Sequence, residues 1–308
     1  MTLFSLIVAL LIEQLRPLAV ERFVQAPLKA FARFLEDRFN DGDARHGAVA
    51  WWVAILTACF ASALLYFLLW NIHFILALAF NVLVLYLTMG FRHVSHYFTD
   101  IQLALQMGEL PRARQLIGEW RGRSHEQSSS SEVARLAIEE ALIASHRNVF
   151  GVIFWFILLP GPSGALLYRL ARFFEQEWGQ RKGEPNFGEF GEFSSKACAI
   201  LDWLPVRLTA AAFSIVGDFE DGVHCWRSQA SQWKDKASGI LISSGGGALG
   251  VRLGMPIYES GEVVERPEMG IGDDADADFM QSTIGLVWRT LVLVFLVLAL
   301  LSVARMGW

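Results

Sequence analysis

Ala197-Cys-Ala-Ile-Leu-Asp-Trp-Leu-Pro-Val-Arg-Leu-Thr-Ala-Ala-Ala-Phe-Ser-Ile-Val-Gly217 is an apolar run about as long as one bilayer crossing, and it carries Asp202 and Arg207 inside it. An ionised side chain at bilayer depth costs roughly 2.5–3.5 kcal/mol on insertion scales, so it persists only where it pairs, lines a wet cavity or acts. The i, i+5 spacing is poor for pairing on one straight helix, but Pro205 lies between the two charges and bends that geometry. A structural ion pair and a functional pair of charges are both open readings.

The rest of the chain supplies the membrane this reading needs. Of 308 residues, 54% are hydrophobic and 19% charged, with 23 Phe and 11 Trp, and the mean hydropathy is +0.38. That is too apolar for an ordinary soluble domain. No Asp, Glu, Lys or Arg occurs from Gly47 to Phe91, which is room for two crossings with Trp70-Asn-Ile-His73 as the turn between them. Leu291 to Val303 is almost uniformly apolar and reads as a C-terminal anchor, extended back through Leu286-Val-Trp288 if Arg289 snorkels. Leu3 to Ile12 is shorter than a crossing and lacks a cleavage site, so it predicts a retained interfacial or tilted helix. Val149 to Leu170 is long enough to span, but Pro160-Gly-Pro162 breaks it into a discontinuous or re-entrant pair of half-helices.

Basic residues set the expected topology. Arg16, Arg22, Lys29, Arg33, Arg38 and Arg45 precede the first long hairpin, Arg92 to Arg147 follow it, and its turn has none. Both flanks are therefore expected in the cytoplasm and Trp70 to His73 outside. For residues 171–197 the parity stays open. Residues 92–147 are expected to form a helical cytoplasmic insertion, with Ser129 and Glu132 as a capping box opening a helix over Val133 to His146. Residues 217–285 read as a Gly-rich acidic loop region. Without an internal repeat, 1–308 is taken as a single membrane domain, all-α and polytopic. Cys59, Cys198 and Cys225 are unpatterned, against a disulfide framework or a thiolate metal site.

The chemical candidates each have a plain alternative. His93, His96 and Asp100 share a helical face and have the residue types of a metal site, yet a polar face at the end of a membrane helix explains them equally. Asp273, Asp274, Asp276 and Asp278 lack the glycine and closing Glu of a calcium loop, and suit the start of a helix near Phe279. No metal site is expected. Gly245-Gly-Gly-Ala-Leu-Gly250 satisfies G-x-G-x-x-G without an evident preceding strand; a glycine loop that cradles an anion, with Arg252 behind it, competes with a mere flexible turn.

Three motifs carry a family resemblance: Asp202-Trp-Leu-Pro-Val-Arg-Leu-Thr-Ala210, Gly247-Ala-Leu-Gly-Val-Arg-Leu-Gly254 and Gly261-Glu-Val-Val-Glu-Arg-Pro267. With Gly108-Glu-Leu-Pro-Arg-Ala-Arg114, Gly122-Arg123 and Gly164-Ala-Leu-Leu-Tyr168 upstream, residues 90–270 resemble the CobD/CbiB family of membrane cobalamin-biosynthesis proteins. The resemblance implies a multi-pass protein whose founding activity is ATP-dependent ligation of aminopropanol phosphate to a corrinoid carboxylate. Such chemistry uses magnesium held by acids around phosphates.

Measured against that family's pattern, the acids are depleted. Ser124 stands where Asp follows Gly-Arg, Ala144-Ser145 and Asn148 replace acidic and amide positions, Cys198-Ala199 replaces paired Asp, and Asp202 stands where Asn is usual; Glu175 preserves one acid. The arginines Arg123, Arg207, Arg252 and Arg266 survive with Gly247 and Gly250, and these six are the expected ligand-binding residues. Met1-Thr-Leu-Phe4, Glu13, Leu201-Asp-Trp203 and the C-terminal anchor are also similar to AmpE, an inner-membrane relative implicated in cell-wall signalling. Acid loss with arginine retention leads to the expectation of a non-ligase, AmpE-like protein of the bacterial inner membrane. It would handle an anionic small molecule, corrinoid or peptidoglycan-derived, with the lipid bilayer as partner, no nucleic acid, and no cofactor. The alternative is the amide ligase, with ATP and magnesium as cofactors and Glu175 and Asp202 as replacement acids.

Overall fold

The computed structural model describes residues 2–15, 25–181, 184 and 187–306, excluding the side chains of 91–94 and 305–306. Arg16 and Arg22 of the topology argument lie outside the described residues, as do the side chains of Arg92 and His93. The chain is an α-helical polytopic membrane protein, and among the described residues four helical runs are long and apolar enough to cross a bilayer, Ala44–Ile72, Ser130–Leu158, Glu192–Val216 and Ala277–Ala304, whereas Phe74–Thr88, where a second crossing was expected, is apolar but shorter. Its contacts cluster in two compact units, Met1–Gly90 with Gly151–Leu204, and Phe91–Phe150 with Pro205–Trp308.

The first unit begins with α1 (Thr2–Leu15), which packs on α4 (Phe74–Thr88), and α2 (Ala26–Phe39) leads into α3 (Ala44–Ile72). Asp43 starts α3 by accepting from the Arg45 amide, and its 29 residues give about 43 Å of helix, more than a bilayer core. The turn expected at Trp70 to His73 is a single residue. His73 is extended, and its Nδ1 accepts from the Ile75 amide to cap α4. After α8 (Gly151–Leu158), the chain reverses through Pro160-Gly161-Pro162 into α9 (Ser163–Glu177). Ser163 Oγ donates to the Pro160 carbonyl at 2.8 Å, and Gly161 takes φ +61° against the Tyr66 ring. Gly164 lies on the Trp155 carbonyl and Gly151 on the Tyr168 ring. These two contacts run in opposite senses along the chain, so α8 and α9 form an antiparallel helical hairpin. The expected broken helix is there, and glycine makes its close approach possible. A buried aromatic cluster around Phe174, Trp178, Phe187 and Phe190 joins Trp51 of α3 and Leu35 of α2 in the core. α10 (Glu192–Val216) passes through Pro205 without interruption and contributes to both units.

The second unit contains α5 (Phe91–Gln106), α6 (Leu110–Arg121) and α7 (Ser130–Ser145). The capping box at α7 forms as the sequence predicts: Ser129 Oγ accepts from the Glu132 amide, and the Glu132 carboxylate accepts from the Ser129 amide. The helix does not end at His146. A π turn over His146–Phe150 carries it directly into α8, so Ser130–Leu158 is one helical run. In sequence the expected helix stops at His146 and the next apolar run starts at Val149, but His146 Nδ1 is buried against Thr209 Oγ1 at 2.9 Å, and a π bulge carries the polar triplet His146-Arg147-Asn148 within the helix.

The region expected as a Gly-rich loop is largely regular. It folds as α11 (Phe219–Gln229), α12 (Lys236–Leu249) and five short strands before α13 (Ala277–Met306). β1 (Val251–Gly254) lies between antiparallel β4 (Glu268–Gly270) and parallel β5 (Asp273–Asp274), while β2 (Ile257–Glu259) and β3 (Glu262–Val264) form a hairpin. Gly245, Gly246 and Gly247 sit inside α12, where each costs about 1 kcal/mol of helix propensity relative to Ala. They are there because Leu142, Gly270 and the backbone of Asp221 approach them so closely that a Cβ has no space. Asp276 opens α13, accepting from the amides of Asp278 and Phe279, which is the helix-start role expected of this acidic run.

These contacts give a paired prediction. Gly164→Ala forces a methyl into the Trp155 backbone and lowers the melting temperature in detergent. Gly285→Ala, whose nearest neighbour is the flexible end of Arg289 at 3.8 Å, leaves it unchanged or slightly raised.

Candidate functional site

The motif residues of the second unit meet around two acids that the sequence reading did not select. Glu139, on α7, is 1% exposed. One of its oxygens accepts from the Gly254 amide at 2.8 Å, and its carboxylate takes both terminal nitrogens of Arg266, at 2.8 and 3.2 Å. Arg266 also donates to the carbonyls of Met255 (3.1 Å) and Gly254 (2.8 Å), and its guanidinium lies 5.3 Å from the Trp233 ring centre. Arg135, one turn before Glu139, reaches the Pro256 carbonyl at 3.1 Å. Gly254 and Met255 both take positive φ, +70° and +62°, so the chain turns sharply at this point, and a side chain at 254 would strike the Pro267 carbonyl. The invariable demand of a buried carboxylate for donors is met here by one arginine and one glycine amide.

Glu259, at the end of β2, is the second acid, 6% exposed. Arg123 donates to it at 2.7 Å, and Arg121 and His125 stand 3.9 Å from its other oxygen. The Ser260 amide donates to the Ser124 carbonyl at 3.0 Å, so the β2–β3 hairpin is fastened to the turn after α6. Gly122 forms that turn with φ +70°. His125 is buried with Nδ1 3.3 Å from the Tyr258 carbonyl, which can only accept. Burial, and then the neighbouring Arg121 charge, hold its pKa below the usual 6.5, so its neutral form dominates at neutral pH. The outer side of the same turn borders an open cleft of about 520 Å³ lined by Arg114, Gln115, Glu119, Arg123, Ser124 and Glu126, among others. Arg114 is steadied by donating to the Ser128 carbonyl at 2.7 Å.

The predicted site residues are thus distributed unevenly. Arg123 faces the cleft while paired to Glu259, and Arg266 is consumed by Glu139. Arg252, on β1, pairs with Asp274 at 2.9 Å. Gly247 and Gly250 do not form an anion-cradling loop. Gly247 is a packing position inside α12, and Gly250 is the helix C-cap at φ +69°, its amide donating back to Gly246 and Gly247. The fingerprint spacing arose from helix packing, and the strand follows the glycines instead of preceding them. Arg207 is half-buried on α10.

Asp202 belongs to a different constellation, within the first unit. It is 4% exposed and accepts from Tyr168 Oη at 2.7 Å and from Arg172 at 3.3 Å. The same arginine nitrogen donates to Cys198 Sγ at 3.3 Å, and Glu175 stands 3.9 Å from the other end of the guanidinium. Glu175 and Asp202, expected as replacement acids, thus share Arg172, a partner that linear spacing along α10 could not supply. Among the described residues, no group of three or more His, Cys, Asp and Glu could hold a metal.

Helices of crossing length, a broken helical hairpin and clustered arginine motifs define a polytopic membrane protein with a polar cleft built from its α6–α7 turn. The CobD/Cbib protein family model matches residues 7–287, and the chain belongs to the CobD/CbiB family. It is 32% identical over 271 residues to the cobalamin biosynthesis protein CobD of Stutzerimonas stutzeri, covering 85% of this chain and 86% of that one. It is 36% identical to the CobD of Chromobacterium violaceum over 62% of this chain and 60% of the relative. With the CbiB of Salmonella typhimurium it shares 25% identity over 91% and 89%. No solved structure matches the chain. These relatives, named for cobalamin biosynthesis, overturn the expectation of an AmpE-like non-ligase sensor. That expectation counted acids at motif positions alone, and the fold brings Glu139 and Glu259 to the arginines from elsewhere.

Two outcomes follow from this geometry. Glu139→Ala strands the Arg266 charge in a buried site and costs about 3–5 kcal/mol of stability, whereas pairing it with Arg266→Met recovers much of the loss; unfolding in mixed detergent measures both. For His125, the unfolded chain takes up a proton near pH 6.5 and the folded one only at lower pH. Stability is therefore full above that value and is lost as the pH falls from it toward the lowered folded pKa. His125→Gln flattens this dependence in melting curves.

Proposed function

We propose that the protein acts in cobalamin biosynthesis as an amide ligase of the adenosylcobinamide-phosphate synthase type, in the bacterial inner membrane. The observation that carries the reading is convergence. Segments separated by more than a hundred residues in sequence, 108–126 and 254–267, meet at the Glu259–Arg123 pair beside the cleft. The substrates of such a ligation are anionic, a corrinoid carboxylate and aminopropanol phosphate, and the cleft offers them Arg114 and Arg123.

ATP and magnesium are the cofactors this chemistry uses. Magnesium keeps most of its water and phosphate ligands and needs only one or two protein carboxylates. Glu119 and Glu126 on the cleft wall are the residues that would hold it, so the donor set fits without a dedicated cage. When bound, magnesium nucleotide supplies the phosphoryl group that activates the corrinoid carboxylate for attack by the amine, with phosphate leaving as the amide forms. In this reading Arg123 orients a phosphate while Glu259 holds the guanidinium in place from behind. Arg114, fixed through Ser128, contributes a second positive charge across the cleft.

The test is complementation of a cobinamide-synthase-deficient strain supplied with cobyric acid. The wild-type chain restores cobamide synthesis, and Arg123→Ala lowers ligation on the order of 100-fold when compared at equal amounts of folded protein. Failure of the well-expressed wild-type chain to complement would overturn the ligase reading.

A further inference from the structure

Two apolar faces run along α2, and among the described residues one is packed in the core while the other is exposed. Ala32 and Leu35, 2% and 3% exposed, belong to the buried cluster that includes Ala50, Trp51 and Ala54 of α3. Roughly 100° around the helix from that face, Phe31 and Phe34 are 42% and 63% exposed, with Pro27 and Ala30 beside them. The remaining arc is charged. Lys29 pairs with Glu177 at 3.6 Å, Glu36 pairs with Arg181 at 3.0 Å, and Arg33 and Asp37 are exposed.

The level of the membrane on this unit can be read from α3. Trp52 and Trp70 are both about half exposed, and no charged residue lies between them. Their 18-residue separation corresponds to about 27 Å of helix, close to the ~30 Å hydrocarbon core. Tryptophan prefers the two boundaries of that core, so Trp52 marks one boundary and Trp70 the other. α2 ends at Phe39, just before α3 begins at Ala44, and its core face joins the cluster containing Ala50, Trp51 and Ala54. It therefore lies at the Trp52 boundary, not in the aqueous layer beyond it.

We propose that α2 is an interfacial helix lying in the plane of the bilayer, with Phe31 and Phe34 inserted among phospholipid acyl chains. A helix with a core face, a lipid face and a charged face is what this position demands. Arg38 shares the arc of Phe31 and Phe34, where its long stem covers apolar surface while its charge reaches the headgroup phosphates. The Lys29–Glu177 and Glu36–Arg181 pairs hold the opposite side toward water and so fix the rotation of the helix about its axis. The inference rests on the chain's being a membrane protein and is independent of the ligase reading.

Spin-label accessibility on the full chain in nanodiscs of phosphatidylcholine and phosphatidylglycerol tests it. Single cysteines replace Phe31, Arg33, Phe34 and Asp37 in turn, in a Cys59→Ala background, because Cys198 and Cys225 are buried. Labels at 31 and 34 should collide with oxygen severalfold more than with a water-soluble nickel chelate, and the order should invert at 33 and 37. Free access of the nickel chelate at all four positions would overturn the proposal. So would labels at 31 and 34 that are immobile and shielded from both reagents, since that marks contact with a second copy. If the cysteine variants fold poorly, a benzophenone amino acid at position 34 of the otherwise native chain gives the same decision. Adducts with the mass of a phospholipid are expected, and adducts with a second copy count against it.

Discussion

A charge taken out of water must find its partner inside the protein, and this requirement organises both units. In the second unit, Glu139 is the fixed point. It lies in the interior of α7 and binds Arg266 and the Gly254 amide, which join residues 115 and more positions apart. That attachment decides where β1 ends, how the chain turns at Met255 and how β2 presents Glu259 to Arg123 and the cleft. In the first unit Asp202 is held by Tyr168 and Arg172 between α9 and α10. Breaking such pairs costs more than they contribute net, because the surviving charge is left without solvent. Their worth is therefore in specifying one arrangement.

Close backbone approach is the second constraint, and glycine meets it. Gly151 and Gly164 let α8 and α9 lie against each other; Gly245 to Gly247 let α12 sit among α7, α11 and β4. A side chain at these positions meets backbone or a ring, with little room to give. The glycine motif thus serves packing. Its similarity to a phosphate-binding fingerprint shows how a short pattern follows from any backbone crowded enough to require three small residues in a row.

Acid loss at motif positions carried the expectation that ligation had been abandoned, and the family relationship removes it. Residue type at a motif position is a poor guide to the charge of a site when the site is assembled from several segments. Glu139 is four residues from Arg135 on an otherwise apolar helix and looks like one member of a solvated Glu139-Glu140 pair. The signal that it is buried was the apolar context, Leu136 to Leu142, in which a carboxylate needs a partner. The partner itself, Arg266, lies too far along the chain to be inferred.

By itself the sequence determined the elements whose cause is local. The charge-free stretch from Gly47 to Phe91 formed two apolar helices joined at His73, because hydrophobic length and the absence of charge act within one segment, although only Ala44–Ile72 reaches crossing length. The Ser129–Glu132 capping box, the Asp276 helix start and the break at Pro160-Gly161-Pro162 were legible for the same reason, as hydrogen-bonding and steric effects over a few residues. Tertiary structure alone decided which arginine meets which acid, that His146 to Asn148 continue a helix by a π turn, and that the glycine segment is helical. Those outcomes depend on neighbours brought from distant parts of the chain, whose desolvation and close contact override what each segment prefers in isolation.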